Sequence, residues 1–306
     1  MTNRRKFIST ALTAGAGISL MSGSSLANSF ISTDDRPFKL KFAPHFGMFK
    51  YSAGEDYIDQ IKFMHERGFR ALEDNGMMSK SIADQERIAK EMSRLGMQMG
   101  VFVIAFDNWP PKVTLTTGNA EWKEAFLKKC REAVEVAKRT NAKWMTVVPG
   151  NFARELPMGI QMANVIDALR RATDIFEPHN LTMVLEPLSD NPDLFMRYSD
   201  QTYLLCKAVD SPSCKILFDM WHMQRNEGRL TRNMDLVWDE IGYFQIGDEP
   251  GRKEPTTGEI NYKGLFKHIY DKSKNDFILG MEHGNYYAGK EGEEKLIAAY
   301  RWSDDF

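Results

Sequence analysis

The sequence contains little cysteine, no long apolar run and little excess charge. Three cysteines among 306 residues are too few for a disulfide framework. Cys130 falls on an apolar helical face, where a core position is expected, and a bridge between Cys206 and Cys214 is left open. No stretch reaches the roughly 20 apolar residues that a membrane-spanning helix needs. The net charge is −2, and no basic face or Lys/Arg run suggests a nucleic-acid partner.

The short sequences that mark several common enzyme classes are also missing. The chain has no Gly-x-Ser-x-Gly, no Cys-x-x-Cys and no glycine-rich phosphate-binding loop. Serine-triad hydrolysis, dithiol redox chemistry and nucleotide hydrolysis at a P-loop therefore have no support.

The first 27 residues predict an export signal rather than part of the fold. Arg4 and Arg5 form a twin-arginine pattern, a weakly apolar stretch covers 11–21, and Ser25-Leu26-Ala27 has the small residues of a signal-peptidase site. We therefore predict a Tat signal peptide at 1–27, a polar lead-in at 28–37 and a catalytic domain at 38–306. The mature protein is expected in the periplasm, without membrane attachment after cleavage of the signal.

From Phe38 onward, apolar strand patterns alternate with helical ones. Such alternation predicts a parallel α/β sheet, and eight strands favour a single (β/α)8 TIM barrel over a doubly wound open sheet. The predicted strands are 38–43, 69–73, 97–106, 143–148, 182–186, 215–219, 242–245 and 277–282. The predicted helices are 57–67, 83–95, 120–139, 159–176, 199–208, 233–240 and 263–272.

Four acidic or amide residues stand at the ends of the last four strands. Glu186, Asp219, Gln245 and Glu282 are 33, 26 and 37 residues apart, about one βα unit each. Active sites of barrels form where the strands end, and these oxygens can converge on one divalent cation. The alternative is four unrelated polar residues at the surface. Mg²⁺ or Mn²⁺ suits such hard ligands best, with Co²⁺ and Zn²⁺ as further candidates.

Glu186 and Glu282 are also the candidate catalytic groups. A metal between them would acidify the C–H beside a carbonyl and stabilise an enediolate. One Glu would take the proton and the other would return it at the neighbouring carbon. Isomerisation and epimerisation both need this arrangement, whereas a structural ion pair with Lys or Arg is the competing interpretation.

Other polar and aromatic residues near the strand ends are candidates for contact with substrate. His222 follows Asp219 by three residues and would donate to a substrate oxygen or act as a ligand. Arg252, on the loop after the seventh strand, would grip a carboxylate or hydroxyl groups. The remaining candidates are His45 and Glu73 for lining the pocket, and Trp109 and Trp221 for walling it or packing in the core.

At this point four segments resemble a known family. Residues 185–187 (Leu-Glu-Pro), 218–228, 244–252 and 258–262 are similar to the hydroxypyruvate isomerase-like branch of the xylose isomerase-like TIM barrels, a superfamily that includes the ketose 3-epimerases. The resemblance implies metal ligation by Glu186, Asp219, Gln245 and Glu282, and a proton shuttle by the two glutamates. It also implies substrate contacts from His222 and Arg252. Pro192 stands where the epimerases carry a further Glu, which is a departure from their pattern.

The resulting expectation is an exported, metal-dependent isomerase or epimerase. It would act through an enediolate on a small-molecule hydroxycarbonyl acid or sugar. A lyase that acts on 3-keto-sugars through the same site, and a sugar-binding barrel without activity, are the alternatives. Assembly into a homo-oligomer is left open.

Overall fold

The computed structural model of the protein describes residues 35–104 and 114–306, and residues 33–306 form one compact unit. The predicted signal at 1–27, most of the lead-in and Trp109 lie outside the described residues. In the part that is described, none of the helices combines the length and apolar character needed to cross a membrane.

The strands form the predicted α/β barrel. Seven of them make one parallel sheet in the order β1-β9-β8-β7-β6-β5-β4, and β2 pairs with β3. The backbone N–H of Glu73 donates to the carbonyl of Pro44 at 3.1 Å, which connects β2 to β1 and brings the ring together. The strands are β1 (Lys41–Ala43), β2 (Ala71–Leu72), β3 (Gln98–Met99), β4 (Phe102–Val103), β5 (Trp144–Val147), β6 (Thr182–Leu185), β7 (Cys214–Asp219), β8 (Ile241–Gln245) and β9 (Ile278–Gly280).

The third strand differs from the prediction, because it is broken into β3 and β4 at Gly100 and Val101. A Cβ at Gly100 would lie 2.4 Å from the Tyr243 hydroxyl and 3.1 Å from the Glu73 Cβ. Before the break β3 pairs with β2, and after the break β4 pairs with β5. The apolar run at 97–106 therefore predicted the right place for a strand but not its interruption.

The helices follow the strands, with bounds within about two residues of most predictions. They are α1 (Lys50–Ala53), α2 (Tyr57–Glu66), α3 (Ile82–Leu95), α4 (Ala120–Thr140), α5 (Met158–Phe176), α6 (Ser199–Val209), α7 (Met220–Asn226), α8 (Leu230–Leu236), α9 (Tyr262–Ser273) and α10 (Gly289–Asp304). The predicted helix 233–240 was wrong in extent, since α8 begins earlier and Trp238–Glu240 is a 3₁₀ turn. Helices α1, α7 and α10 were not predicted.

One apolar layer fills the inside of the barrel and sets the height of the site. Its members are Ala43, Ala71, Val101, Val184, Leu217, Tyr243 and Ile278, with Trp144 packed against them. Successive side chains of a strand point to opposite faces, so residues two positions further on face the same interior one layer higher. Glu73, Glu186, Asp219 and Gln245 stand in that higher layer, and Gly280 occupies it on β9.

Candidate active site

The candidate residues meet at the carboxyl-terminal end of the barrel. Asp219 pairs in register with Gln245 on the neighbouring strand, and Gln245 pairs with Gly280. Glu186 directly follows β6, and Glu282 follows β9 by two residues. They border a cavity of about 340 Å³, whose lining residues are Asn75, Val103, Thr146, Val148, Glu186, Leu188, Asp190, His222, Arg252 and Glu282.

Asp219 is fixed by the helix that begins at its own position. Its Oδ1 caps α7 by accepting from the backbone N–H of Trp221 at 2.8 Å and of His222 at 3.1 Å. Its Oδ2 accepts from Arg252 Nη2 at 2.9 Å. Burial opposes its ionisation, but the neighbouring His222 and Arg252 and the helix amides hold the pKa of Asp219 below the ordinary value. A carboxylate therefore stands at the centre of the site.

The two glutamates are harder to ionise. Burial raises the pKa of Glu186 well above its ordinary value, and the Glu282 and Asp219 carboxylates add to this. Burial also raises the pKa of Glu282 to about 7, although Arg252 opposes the shift. Glu282 accepts from Arg252 at 2.5 Å and from Asn75 at 2.8 Å. A carboxyl group with a raised pKa can serve as a general acid as well as a general base.

The donor set fits a divalent cation. Glu186, Asp219 and His222 bring one potential ligand atom each within 4.8 Å of one another, and the two carboxylates are the oxygen donors of this group. Gln245 is buried, and its Oε1 has no hydrogen-bond partner among the described residues. An unpaired buried carbonyl oxygen is unfavourable unless something accepts its lone pairs, and a cation would do so. Carboxylate and amide oxygens around such a position suit a hard metal ion.

His222 is oriented as a hydrogen-bond donor. The Ser189 backbone N–H donates to His222 Nδ1 at 3.0 Å, and the Ser189 hydroxyl lies 2.8 Å from the same atom. Burial lowers the pKa of His222, so the ring is neutral at neutral pH. A neutral ring that accepts at Nδ1 carries its proton on Nε2. Nε2 lies 3.6 Å from Glu186 Oε1 and lines the cavity as a donor, which disfavours His222 as a ligand.

Arg252 is held against the site by Trp221 and by a tight loop. The guanidinium stacks 4.5 Å from the Trp221 ring, and its Nε donates to the Glu282 carbonyl at 3.0 Å. Arg252 has a φ of 48°, in the left-handed region, and its backbone N–H donates to the Asp248 carbonyl at 2.8 Å. Trp221 is thus a support for Arg252, and it is not a lining residue of the cavity.

His45 and Glu73 stand at the predicted strand ends but are not among the residues that line the cavity. The ring nitrogens of His45 lie 2.9 Å from the Phe46 carbonyl and 3.1 Å from the His283 carbonyl, so they tie two loops together. Glu73 stands in the same layer of the barrel as Gln245, and its carboxyl group contacts Tyr243 and Gln245. The prediction that these two residues line the pocket is therefore corrected, because neither borders the described cavity.

Three polar residues of the site were missed from the sequence. Asn75 holds Glu282, Ser189 orients His222, and Thr146 lines the cavity with a buried hydroxyl that has no partner among the described residues. Thr146 follows Trp144 by two residues on β5, so two-residue alternation would have found it. Asn75 and Ser189 lie on loops, where no period applies.

A wider groove of about 640 Å³ lies between α7, α8 and α9. It includes Arg229, Arg232, Glu259 and His268. Glu259 is bonded across it by Gln224 at 3.0 Å. The groove lacks the convergence of buried carboxylates found at the strand ends, so the smaller cavity is the candidate active site.

Comparison with known proteins identifies the family to which the chain is similar. Residues 61–306 match the sequence model of the xylose isomerase-like TIM barrel family. Over 146 residues the chain is 35% identical to hydroxypyruvate isomerase of Escherichia coli strain K12, which covers 47% of this chain and 54% of that protein. Over 153 residues it is 32% identical to 2-oxo-tetronate isomerase of Pectobacterium atrosepticum, covering 49% and 58% respectively. The chain thus matches about half the length of these curated relatives.

Solved structures share the fold at low sequence identity. An AP endonuclease, family 2, from Brucella melitensis superposes with a TM-score of 0.72 at 20% identity and covers 86% of this chain and 98% of that one. A 3-keto-D-glucoside 4-epimerase from E. coli superposes with a TM-score of 0.71 at 17% identity and covers 86% and 100%. These similarities establish the barrel and leave its chemistry to the residues of the site.

Proposed function

Because the chain belongs to the xylose isomerase-like TIM barrel family, we propose that it is a metal-dependent isomerase or epimerase. Its substrate would be a hydroxycarbonyl acid or sugar, and the reaction would proceed through an enediolate. The relatives named hydroxypyruvate isomerase and 2-oxo-tetronate isomerase support this reaction class. The family-like segments at 218–228 and 244–252 contribute His222 and Arg252 to the lining of the cavity, and they carry the paired residues Asp219 and Gln245.

One observation carries the proposal. Glu186 and Glu282 approach the same cavity from β6 and β9, with Asp219 and Gln245 on the two strands between them. Both glutamates have a raised pKa, which reaches about 7 for Glu282, so both carboxyl groups hold a proton more readily than an exposed glutamate does. A base on each flank of a bound substrate is what proton transfer between neighbouring carbons requires.

The protein side chains divide the work of the reaction. One glutamate removes the proton beside the substrate carbonyl, and the other delivers a proton to the adjacent carbon. His222 donates its Nε2–H to a substrate oxygen as charge develops there. Arg252, held by Trp221, contributes a fixed positive charge at the same edge of the cavity.

Glu186, Asp219, Gln245 and Glu282 are the proposed holders of the metal. A bound divalent ion would polarise the substrate carbonyl and lower the pKa of the neighbouring C–H. Mg²⁺ or Mn²⁺ is our proposal for the ion, because hard oxygen ligands predominate and the His222 imidazole that lines the cavity directs an N–H group toward it.

Substitution of each glutamate by glutamine tests the proposal. Glu186→Gln and Glu282→Gln keep an oxygen ligand but remove the base, so turnover should fall about 10²–10⁴-fold. Purified protein with Mn²⁺ would be assayed by NMR in D₂O on hydroxypyruvate, ketoses and 3-keto-glycosides. One variant should still exchange the substrate α-proton with solvent, and the other should not.

A matched control is Glu227→Gln, which replaces a half-buried glutamate that bonds Ser199 outside the cavity. It should retain parental turnover. Near-normal turnover of both active-site variants with metal bound would contradict the proton shuttle. Loss of a substituent from a 3-keto-glycoside, without isomerisation of any substrate, would instead assign the site to a lyase.

We also propose that the protein acts outside the cytoplasm. The twin-arginine pattern at Arg4 and Arg5 and the small residues before 28 support export in the folded, metal-loaded state. The mature chain would then meet its substrate in the periplasm.

A further inference from the structure

Glu73 is a buried carboxyl group that the proposed reaction does not use. Its side chain lies one layer above Ala71 inside the barrel, and the residue is 1% exposed. The Tyr243 hydroxyl donates to Glu73 Oε2 at 3.1 Å. Gln245 Nε2 lies 3.5 Å from both carboxyl oxygens of Glu73. Tyr243 and Gln245 are two residues apart on β8, so both side chains reach the same interior space.

The surrounding backbone leaves room for this one carboxyl group. A Cβ at Gly280 would lie 1.8 Å from Glu73 Oε2 and 2.9 Å from Oε1. A Cβ at Gly100 would lie 2.4 Å from the Tyr243 hydroxyl. Gly280 on β9 and Gly100 at the break between β3 and β4 thus lack side chains where Glu73 and Tyr243 need space. A fixed pocket of this kind holds the carboxyl group in one position.

We propose that Glu73 is a positioning residue that orients the Gln245 amide so that its Oε1 faces the proposed metal ligands. The inference rests on the metal site of the proposed function. The two ends of a glutamine amide have nearly the same size, and only hydrogen bonding decides which end points where. In its ionised form the Glu73 carboxylate can only accept, so it selects the N–H end of the amide and leaves Oε1 without a partner among the described residues. The opposite orientation would present N–H groups to a cation.

The effect of Glu73 on metal binding should depend on Gln245. Loss of the hydrogen-bonded partner of a metal ligand typically lowers metal affinity about 10–100-fold. Glu73→Gln offers one acceptor oxygen in place of two, and its own N–H₂ faces the donors of Gln245 and Tyr243. We expect Mn²⁺ affinity, measured from the EPR signal of the free ion, to fall about tenfold or more. In a Gln245→Ala background, the same substitution should change affinity less than about threefold.

A second substitution separates contact from charge. Glu73→Asp keeps a carboxyl group but shortens its reach by one methylene, so it should lose Mn²⁺ affinity as Glu73→Gln does. The matched control is Glu293→Gln, at a fully buried glutamate that bonds Tyr51 and Ser52. This control should lower the melting temperature of the metal-free protein without changing Mn²⁺ affinity.

The outcomes distinguish this inference from the proposed function. A parent protein that binds no Mn²⁺ would overturn the proposed metal site itself. A parent that binds Mn²⁺, with unchanged affinity in both Glu73 variants, would overturn only the positioning role. An equal loss with and without Gln245 would also overturn it, because Glu73 would then act through its charge or through the fold.

Discussion

Metal binding should release a proton from Glu282 and therefore weaken as the pH falls. Burial raises the pKa of this carboxyl group to about 7, from an ordinary value of 4.5. A cation can use the group only in its ionised form. At pH 5, a group with a pKa of 7 is about 1% ionised, so this site alone should weaken apparent Mn²⁺ affinity about 100-fold between pH 8 and pH 5. A quarter of the side chain is exposed, so solvent makes this figure an upper limit.

The measurement is a Mn²⁺ titration followed by EPR at half-unit steps of pH. The parent should show a slope that approaches one proton per ion from Glu282, steepened by Glu186. Glu282→Gln should be weaker at pH 8 but should have a slope shallower by about one proton. A parental affinity that does not change from pH 8 to pH 5 would refute the raised pKa of this carboxyl group.

The raised pKa of Glu282 also predicts how the stability of the metal-free protein depends on pH. This stability should fall as the pH rises, whereas metal affinity should increase. An acid whose pKa is raised on folding binds more protons in the native state between its two pKa values. The metal-free protein should therefore lose stability as the pH rises from about 4.5 through 7, by at most about 3 kcal/mol from Glu282. Saturating Mn²⁺ should remove that loss. Chemical denaturation at pH 5 and pH 7.5, with and without Mn²⁺, would measure both terms.

Three further variants test other features of the chain. Asp219→Asn should keep the cap of α7 and lose most Mn²⁺ binding, whereas Asp219→Ala should lose Mn²⁺ binding and about 1 kcal/mol of unfolding free energy as well; equal stability of the two variants by urea denaturation would contradict the capping role. Arg4→Lys with Arg5→Lys should leave uncleaved precursor in the cytoplasm, and fractionation that finds normal periplasmic protein would contradict the Tat route.

The positions of the site residues could be predicted because strand ends and two-residue alternation are local properties. Glu186, Asp219 and Gln245 each end an apolar run, and parallel strands bring such ends to one rim. Asn75 could not be found in this way. It lies three residues beyond β2 on a loop. It reaches Glu282 because the closed barrel places β2 and β9 on the two sides of the single strand β1.

The direction in which a side chain leaves its strand depends on neighbours that are distant in sequence. Glu73 and His45 have the spacing of site residues. The Glu73 side chain nevertheless contacts Tyr243 and Gln245, and the His45 ring contacts the His283 carbonyl. The empty volume at Gly280, more than 200 residues away in sequence, decides where the Glu73 carboxyl group fits. The break at Gly100 also depends on residues distant in sequence, because Tyr243 and Glu73 fill the space beside it. The run at 97–106 alone does not indicate their presence.

A side chain at position 280 would overlap the Glu73 carboxyl group, so substitutions at positions 73 and 280 depend on each other. An alanine at 280 would push the Glu73 carboxyl group out of its contacts with Tyr243 and Gln245 unless residue 73 had first become shorter, and a return to glutamate at 73 would then meet the same methyl group. The order of substitution therefore matters at this pair, as it does not at independent sites. A library randomised at both positions should yield folded proteins with glutamate at 73 almost only beside glycine at 280. Relatives that have diverged at one of the two positions should have changed at the other.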